Sequence, residues 1–230
     1  GWMPLTLFDS TIGGPTRADL RGRKCFLGLD LSSTTDLTAL VALFPPDGED
    51  TAWHVIFEAW IPEEGMRERE KRDGVPFARW VKAGLIHATE GNAVDYGAVE
   101  ARILKLTEEY DVELLGVDPW NSQMLTQRLM QAGLDVLEIP QTFAGMSPAM
   151  KDMERLLLRG DMTHEKHDVA RWCFGNVRNA VDGNENIKPM KNRSPDRIDI
   201  TVAWIIAVAA ARSRMSMEET IYQDRGILFI

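Results

Sequence analysis

Apolar positions in this chain follow two rhythms, and the rhythm changes along its length. Cys25-Phe26-Leu27-Gly28-Leu29-Asp30-Leu31 and Leu37-Thr38-Ala39-Leu40-Val41-Ala42-Leu43-Phe44 are continuous apolar runs separated by the polar Ser32-Ser33-Thr34-Thr35-Asp36. Thr51 to Ile61 alternates instead, with Trp53, Val55, Phe57 and Ala59 set against Ala52, His54, Ile56 and Glu58, after a turn at Pro45-Pro46-Asp47-Gly48. Three consecutive strands joined by tight turns predict an antiparallel meander. Further on the period lengthens. Val99, Ile103, Leu104 and Leu106 mark a helix over Asp95 to Tyr110, followed by a buried strand (Val112 to Asp118), a helix (Ser122 to Ala132) and another strand (Leu134 to Ile139). Ser147 to Arg159 and Lys166 to Val181 read as helices. Ser194-Pro195 opens a last helix reaching about Arg214, with Pro195 at a first helical position. Between the two halves, Glu63 to Asp73 is a mixed-charge helix face or loop and Val75 to Gly84 a short helix.

A meander followed by helix-strand-helix-strand-helix predicts an α/β fold. Its mixed five-stranded sheet combines the three-strand meander with two parallel strands, the first strand lies beside the Val112 to Asp118 strand, and helices cover both faces. That topology is ribonuclease H-like. Residues 1–22 are rich in glycine and lack periodicity, so they read as a linker or N-terminal tail, with the domain over 23–215 and a C-terminal tail over 216–230. No internal repeat is present.

Composition adds limits. The 26 Lys+Arg against 35 Asp+Glu give a net charge of −9 over 230 residues, with 44% apolar residues, as in ordinary compact domains. An acidic total argues against a surface coated with phosphate-binding charge, yet permits a local basic patch beside an acidic metal site. The longest uncharged apolar stretch, Ile200 to Ala211, is short of the roughly twenty residues of a membrane span, so no membrane partner is expected. Two cysteines, Cys25 and Cys173, and the absence of a secretory pattern suit a reducing cytoplasm.

The chemistry is carried by acids. Phe26-Leu27-Gly28-Leu29-Asp30 and Leu114-Leu115-Gly116-Val117-Asp118 each run an apolar strand straight into an aspartate. On adjacent parallel strands those ends lie roughly 5 Å apart. Either acid alone is explained by a turn that ends a strand. Two on one rim repel, and a divalent cation between them relieves the repulsion; oxygen ligands suit Mg²⁺ or Mn²⁺. A third acid comes from Ser194-Pro195-Asp196-Arg197-Ile198-Asp199. Asp196 falls in the predicted helix's first turn, where the helix dipole explains it. Asp199 lies a turn further in, ahead of an apolar run, and needs a partner such as the metal held by Asp30 and Asp118. Asp196 and Asp36 are then supporting or alternative ligands. Acids from two strands and a late helix form a two-metal arrangement, with two ions roughly 4 Å apart hydrolysing a phosphodiester.

These residues resemble a known family. Gly28 to Ala39, then Gly116-Val117-Asp118-Pro119-Trp120-Asn121, then Asp196-Arg197-Ile198-Asp199 before an apolar helix, together look like the nuclease domain of the tailed-phage DNA-packaging terminase large subunit. The likeness runs from about residue 23 to 215, and Tyr222 to Leu228 shares it. It implies that Asp30, Asp118 and Asp199 are the catalytic metal-binding triad, with two Mg²⁺ or Mn²⁺ ions as cofactors. The implied substrate is concatemeric double-stranded viral DNA, cut in the cytoplasm of a bacterial host. The implied partners are a packaging ATPase domain, the portal and the small terminase subunit. The ATPase itself is not in this chain: Gly22-Arg23-Lys24 is followed by Cys25 and makes no phosphate loop.

Lys188, Lys191, Arg193 and Arg197 concentrate positive charge next to the proposed metal site and are the candidate DNA-binding residues. Trp120 and Asn121 are candidates to line the cleft. Three other readings compete: a resolvase or transposase-type nuclease of the same fold, an actin-like or sugar-kinase-type ATP-binding domain suggested by Gly28 to Thr35, and a non-catalytic DNA-gripping module of a packaging motor. A zinc site at His164, His167 and Cys173 lacks a fourth ligand, and Gly145-Met146-Ser147-Pro148-Ala149 misses the serine-hydrolase elbow. Trp80, Trp172 and Trp204 sit on apolar helix faces and read as core.

Overall fold

The computed structural model describes residues 1–32, 37–120, 122–192, 194 and 196–226, the side chains of 218–226 excepted. In chain order the elements are α1 (Leu5–Ser10), β1 (Lys24–Asp30), β2 (Thr38–Phe44), β3 (Trp53–Pro62), α2 (Met66–Asp73), α3 (Phe77–Lys82), β4 (His87–Thr89), α4 (Tyr96–Glu109), β5 (Asp111–Val117), α5 (Gln123–Gln131), β6 (Val136–Glu138), α6 (Phe143–Arg159), β7 (Met162–His164), α7 (Asp168–Asn176), β8 (Asn179–Val181), β9 (Ile187–Pro189) and α8 (Asp199–Gly226). The sheet order is β4-β3-β2-β1-β5-β6. Strands β1, β2 and β3 form the expected antiparallel meander, and β5 and β6 continue from β1 in parallel. Two short strands extend the five expected. The ten-residue β3 would otherwise leave a long open edge, which β4 covers at Trp60 to Pro62 and β7 at Trp53 to Val55.

Because strand side chains alternate, the sheet feeds two cores. Phe26, Val41, Val55, Phe57 and Leu114 pack under α6, α7 and α8; Leu27, Leu29, Leu40, Ile56, Leu115 and Val117 pack under α4 and α5. Helix α4 presents Val99, Ile103 and Leu106 to its core, one face at helical spacing, and Asp95 caps it by accepting from Gly97 N–H. Helix α8 is different: every residue from Ile200 to Ala211 is buried, as expected for a helix apolar on all sides. Asp199 to Met217 is long and apolar enough for a membrane span by length and composition alone, but 67% of that window is buried within the domain.

Several boundaries differ from the pattern's prediction. Residues 1–22 pack on the domain instead of forming a linker. Phe8 is buried against His164 and Phe174, with ring centroids 4.0 and 5.2 Å away, and Arg17 binds Glu165 and Glu58. Helix α6 starts earlier, at Phe143, because Thr142 caps it by accepting from Gly145 N–H; Pro148 lies inside it and forgoes one helix bond. Helix α7 stops at Asn176, since Val177 turns extended and residues 179–181 pair with 187–189 as a hairpin. The final helix begins at Asp199, four residues late. Ser194, read as its cap, is used elsewhere: its hydroxyl bonds Met190 O and accepts from Arg178 N–H. At the other end the helix runs on to Gly226 through residues read as tail. His167 caps α7 through Ala170 N–H and burial lowers its pKa to about 4; Cys173 is buried in the core, and among the described residues no group of three histidine, cysteine or acidic side chains gathers around them.

Glu58 sits in the gap between β4 and β7. Its Oε1 accepts from Arg17 and Arg102, each at 2.7 Å, and its Oε2 meets His87 Nε2 at 2.7 Å. Burial opposes its charge, but these partners outweigh burial and hold the carboxyl well below its usual range. A folded-state pKa below the unfolded one contributes stability above the ordinary carboxylate range, which disappears as pH falls through and below it. Glu58→Gln should therefore cost about 3 kcal/mol at neutral pH, the cost of breaking a buried ion pair. Urea titrations at pH 7 and pH 3 should show that difference shrinking in acid.

Close approach decides the other half of the fold. A Cβ on Gly28 would collide with the backbone of Ala203 and Ala207 in α8, within 2.9 Å of both, whereas one on Gly116 would meet Ile206 Cγ2 at 2.9 Å, with the Ile206 carbonyl oxygen at 3.1 Å and Ala210 Cβ at 3.2 Å. Gly28→Ala should lose about 3 kcal/mol and Gly116→Ala about 1 kcal/mol, because backbone cannot yield as a side chain can. Equal losses in denaturant titrations would contradict this account.

Candidate functional site

The site is built where α8 meets the rim of the sheet. Phe26, Gly28 and Asp30 share the face of β1 turned toward α8, and Leu114, Gly116 and Asp118 follow the same two-residue repeat on β5. The register pairs Gly28 with Gly116 and Leu29 with Val117, so Asp30 and Asp118 are the next residues of two adjacent parallel strands. Ala203 and Ala207 cover Gly28, and Asp199 lies one turn before Ala203 on the same stripe. One helical turn rises about 5.4 Å and two strand residues about 6.6 Å, so Asp199 arrives level with Asp30.

The two carboxylates meet across one cation of the chain itself. Lys191 Nζ lies 2.8 Å from Asp30 Oδ2 and 3.2 Å from Asp199 Oδ1. Both acid side chains are almost fully buried, at 3% and 4% exposure. Burial, together with the charges of Asp199 and Asp118, pushes the Asp30 carboxyl up to about 7, and Lys191 pulls against that shift. For Lys191, burial disfavours the charge, but Asp30 and Asp199 prevail and keep it an ammonium. Asp199 is the first residue of α8, where the sequence pattern set it a turn inside; the positive end of the helix dipole therefore also favours its charge.

Asp118 stands at the same rim with its oxygens engaged otherwise. Oδ1 accepts from Trp120 N–H at 2.9 Å, the turn that ends a strand, and Oδ2 accepts from the side-chain amide of Gln141. In these conformations, no group of three acidic, histidine or cysteine side chains among the described residues surrounds one point. Asp196 precedes the helix instead of sharing a helical face with Asp199. It accepts from Arg197 N–H at 3.0 Å, and burial raises its pKa. Asp36, Asn121 and Arg193 lie outside the described residues.

The expected basic patch divides. Lys188, on β9, rests over the Phe143 ring at 5.2 Å. Lys191 faces the acids. Arg197 is not a surface residue: its side chain is 5% exposed and its Nε bonds Asp73 Oδ2 at 3.0 Å. Asp73, which ends the mixed-charge run, also pairs with Arg72 at 2.5 Å. Arg72, Asp73, Lys191, Ser194, Asp196 and Asp199 line a cleft of about 380 Å³ beside the acids. Sequence reasoning missed Gln141, Arg72 and Asp73, since nothing local in the chain ties residue 73 to 197 or 141 to 118. Trp120, by contrast, is 79% exposed beside Asp118.

Two buried carboxylates that already hold a cation, with a third carboxylate on the neighbouring strand, form a hard-oxygen donor set suited to a divalent ion. Comparison with known proteins gives that site a context. The chain is 33% identical over 204 residues to the large terminase subunit of Enterobacteria phage HK97, covering 88% of this chain and 40% of that protein. It is 28% identical to protein YmfN of Escherichia coli K12, covering 85% of this chain and 45% of that protein. The crystal structure of the HK97 large terminase superposes with a TM-score of 0.82 at 31% identity, over 90% of this chain and 43% of that one. The nuclease of the large terminase of thermophilic phage G20c, with bound magnesium, shares the fold at a TM-score of 0.57 and 13% identity, over 89% of this chain and 95% of that one. The chain thus spans less than half the length of the curated relatives it matches. Residues 2–215 match the family described as terminase large subunit, endonuclease domain, and the chain belongs to that family.

Proposed function

We propose that the domain is a divalent-metal-dependent endodeoxyribonuclease that cuts double-stranded viral DNA concatemers during genome packaging, in the cytoplasm of a bacterial host. The observation that carries this reading is the convergence of two buried carboxylates, from the end of β1 and the start of α8, on a single cation. Asp30 and Asp199 would hold the metal, joined by Asp118 from the adjacent strand once its carboxylate turns from Gln141. Mg²⁺ or Mn²⁺ bound there, as a pair of ions, would activate water and stabilise the leaving oxygen of a phosphodiester. The magnesium-bound G20c nuclease of the same fold supports that choice. The family assignment favours a packaging nuclease over the resolvase, kinase-like and purely DNA-gripping alternatives. In the longer relatives the rest of the chain would supply the packaging ATPase, with the portal and the small terminase subunit as partners.

Asp30, Asp199 and Asp118 bear the ligand role, and Lys188, on the β8–β9 hairpin, is the proposed phosphate contact. Replacing any of the three acids with Asn should lower plasmid cleavage in Mn²⁺ by about 100-fold or more, because losing several kcal/mol of metal-supplied stabilisation costs about tenfold per 1.4 kcal/mol. The circular dichroism of these variants should match wild type, and EDTA should abolish wild-type cleavage. Wild-type cleavage by Asp199→Asn would remove it from the ligand set.

Arg197→Ala and Lys188→Ala should part company. The buried Arg197–Asp73 pair predicts a loss of about 3 kcal/mol of stability in denaturant titrations for Arg197→Ala. Lys188→Ala should instead leave stability within about 0.5 kcal/mol and flatten the salt dependence of DNA binding.

A further inference from the structure

We infer that Lys191 is the resident counter-ion of the acid pair, and that a divalent cation enters the site by exchange with it and not by addition. This rests on the reading of Asp30 and Asp199 as metal ligands. The ammonium lies 2.8 and 3.2 Å from one oxygen of each acid, within charge-assisted hydrogen-bond reach. An ion bound to the same two oxygens at about 2.1 Å would fall in the gap that Nζ occupies, and two cations cannot share it.

Burial makes the exchange directional. The two carboxylates are buried at fixed points, the end of β1 and the first turn of α8, and cannot leave. Without a cation they would be like charges in a desolvated site. Lys191 has both a way out and a place to go. Its side chain is 44% exposed, its backbone lies in the turn after β9, and its stem flanks the cleft of about 380 Å³ between the acids and Arg72. Lys191 thereby offsets the charge of the acid pair in the metal-free domain, and metal affinity is set by the difference between two cations, below what it would be without the ammonium.

The test is Mn²⁺ binding by calorimetry, with thermal melts in EDTA and in Mn²⁺, on wild type, Lys191→Met, Lys191→Arg, Asp30→Asn and Asp199→Asn. Lys191→Met should bind Mn²⁺ about tenfold or more tightly than wild type. It should melt lower than wild type in EDTA and gain more from Mn²⁺. Lys191→Arg, which keeps the charge, should bind no tighter than wild type, and this arm stands even if the Met variant folds poorly without metal. Unchanged or weaker binding by Lys191→Met, with binding lost in Asp30→Asn, would overturn the exchange and leave the acid site standing. So would equal tightening by Lys191→Arg. Wild-type Mn²⁺ affinity in both Asn variants would remove the ligand assignment, and the exchange with it.

Discussion

The arrangement depends on two bare places in the sheet. At Gly28 and Gly116 no side chain stands between the strands and α8, so the helix backbone settles directly on β1 while Ile206 and Ala210 fill the space over β5. A helix held off by ordinary side chains would pass higher above the sheet, and its first turn would stand further from the strand terminus. Set down this far, the stripe Asp199, Ala203, Ala207 runs along the line Asp30, Gly28 in the opposite direction, and the acid at the end of each line faces the other. The apolar run Ile200 to Ala211 supplies the burial that holds the helix there, at about 1.5–3 kcal/mol for each large side chain.

The domain contains buried acids of two kinds, and their counter-ions tell them apart. Glu58 is held by two guanidiniums and a histidine on three different elements, a satisfied arrangement that closes the gap between β4 and β7. Asp30 and Asp199 share one ammonium on a partly exposed stem. Burial works against the charge of both Glu58 and Asp30, but the partners outweigh it only at Glu58. Glu58 is enclosed by partners from three directions, whereas the ammonium beside Asp30 sits on a stem that reaches solvent.

Much of this was legible in the chain. Continuous apolar runs ending in aspartate identified β1 and β5, because a run and its two-residue alternation are local properties, and the order of elements along the chain then put Asp30 and Asp118 on one rim. The Gly-x-Asp shared by the two strands was visible too, but that its glycines seat α8 became apparent only in the packing. What the pattern missed was set by distant partners. Ser194 looked like a helix cap but is tied to Met190 and Arg178, which moves the start of α8 to Asp199. Arg197 looked like a surface cation because its counter-charge, Asp73, is remote in sequence. Residues 1–22 lacked periodicity because a six-residue helix holding one buried phenylalanine has no period to show.

Helix α8 has a further property as a mechanical part. Its 28 residues span about 42 Å, and about 20 Å from the acids Arg212 binds Asp152 and Arg214 binds Asp135. A hydrogen-bonded helix has almost no axial give, and the glycine seats leave it no cushion in which to roll. It is therefore a fixed mount: Asp199 takes its height above the rim from the contact of Ala203 and Ala207 with Gly28, and whatever lifts the helix from that seat lifts the acid with it.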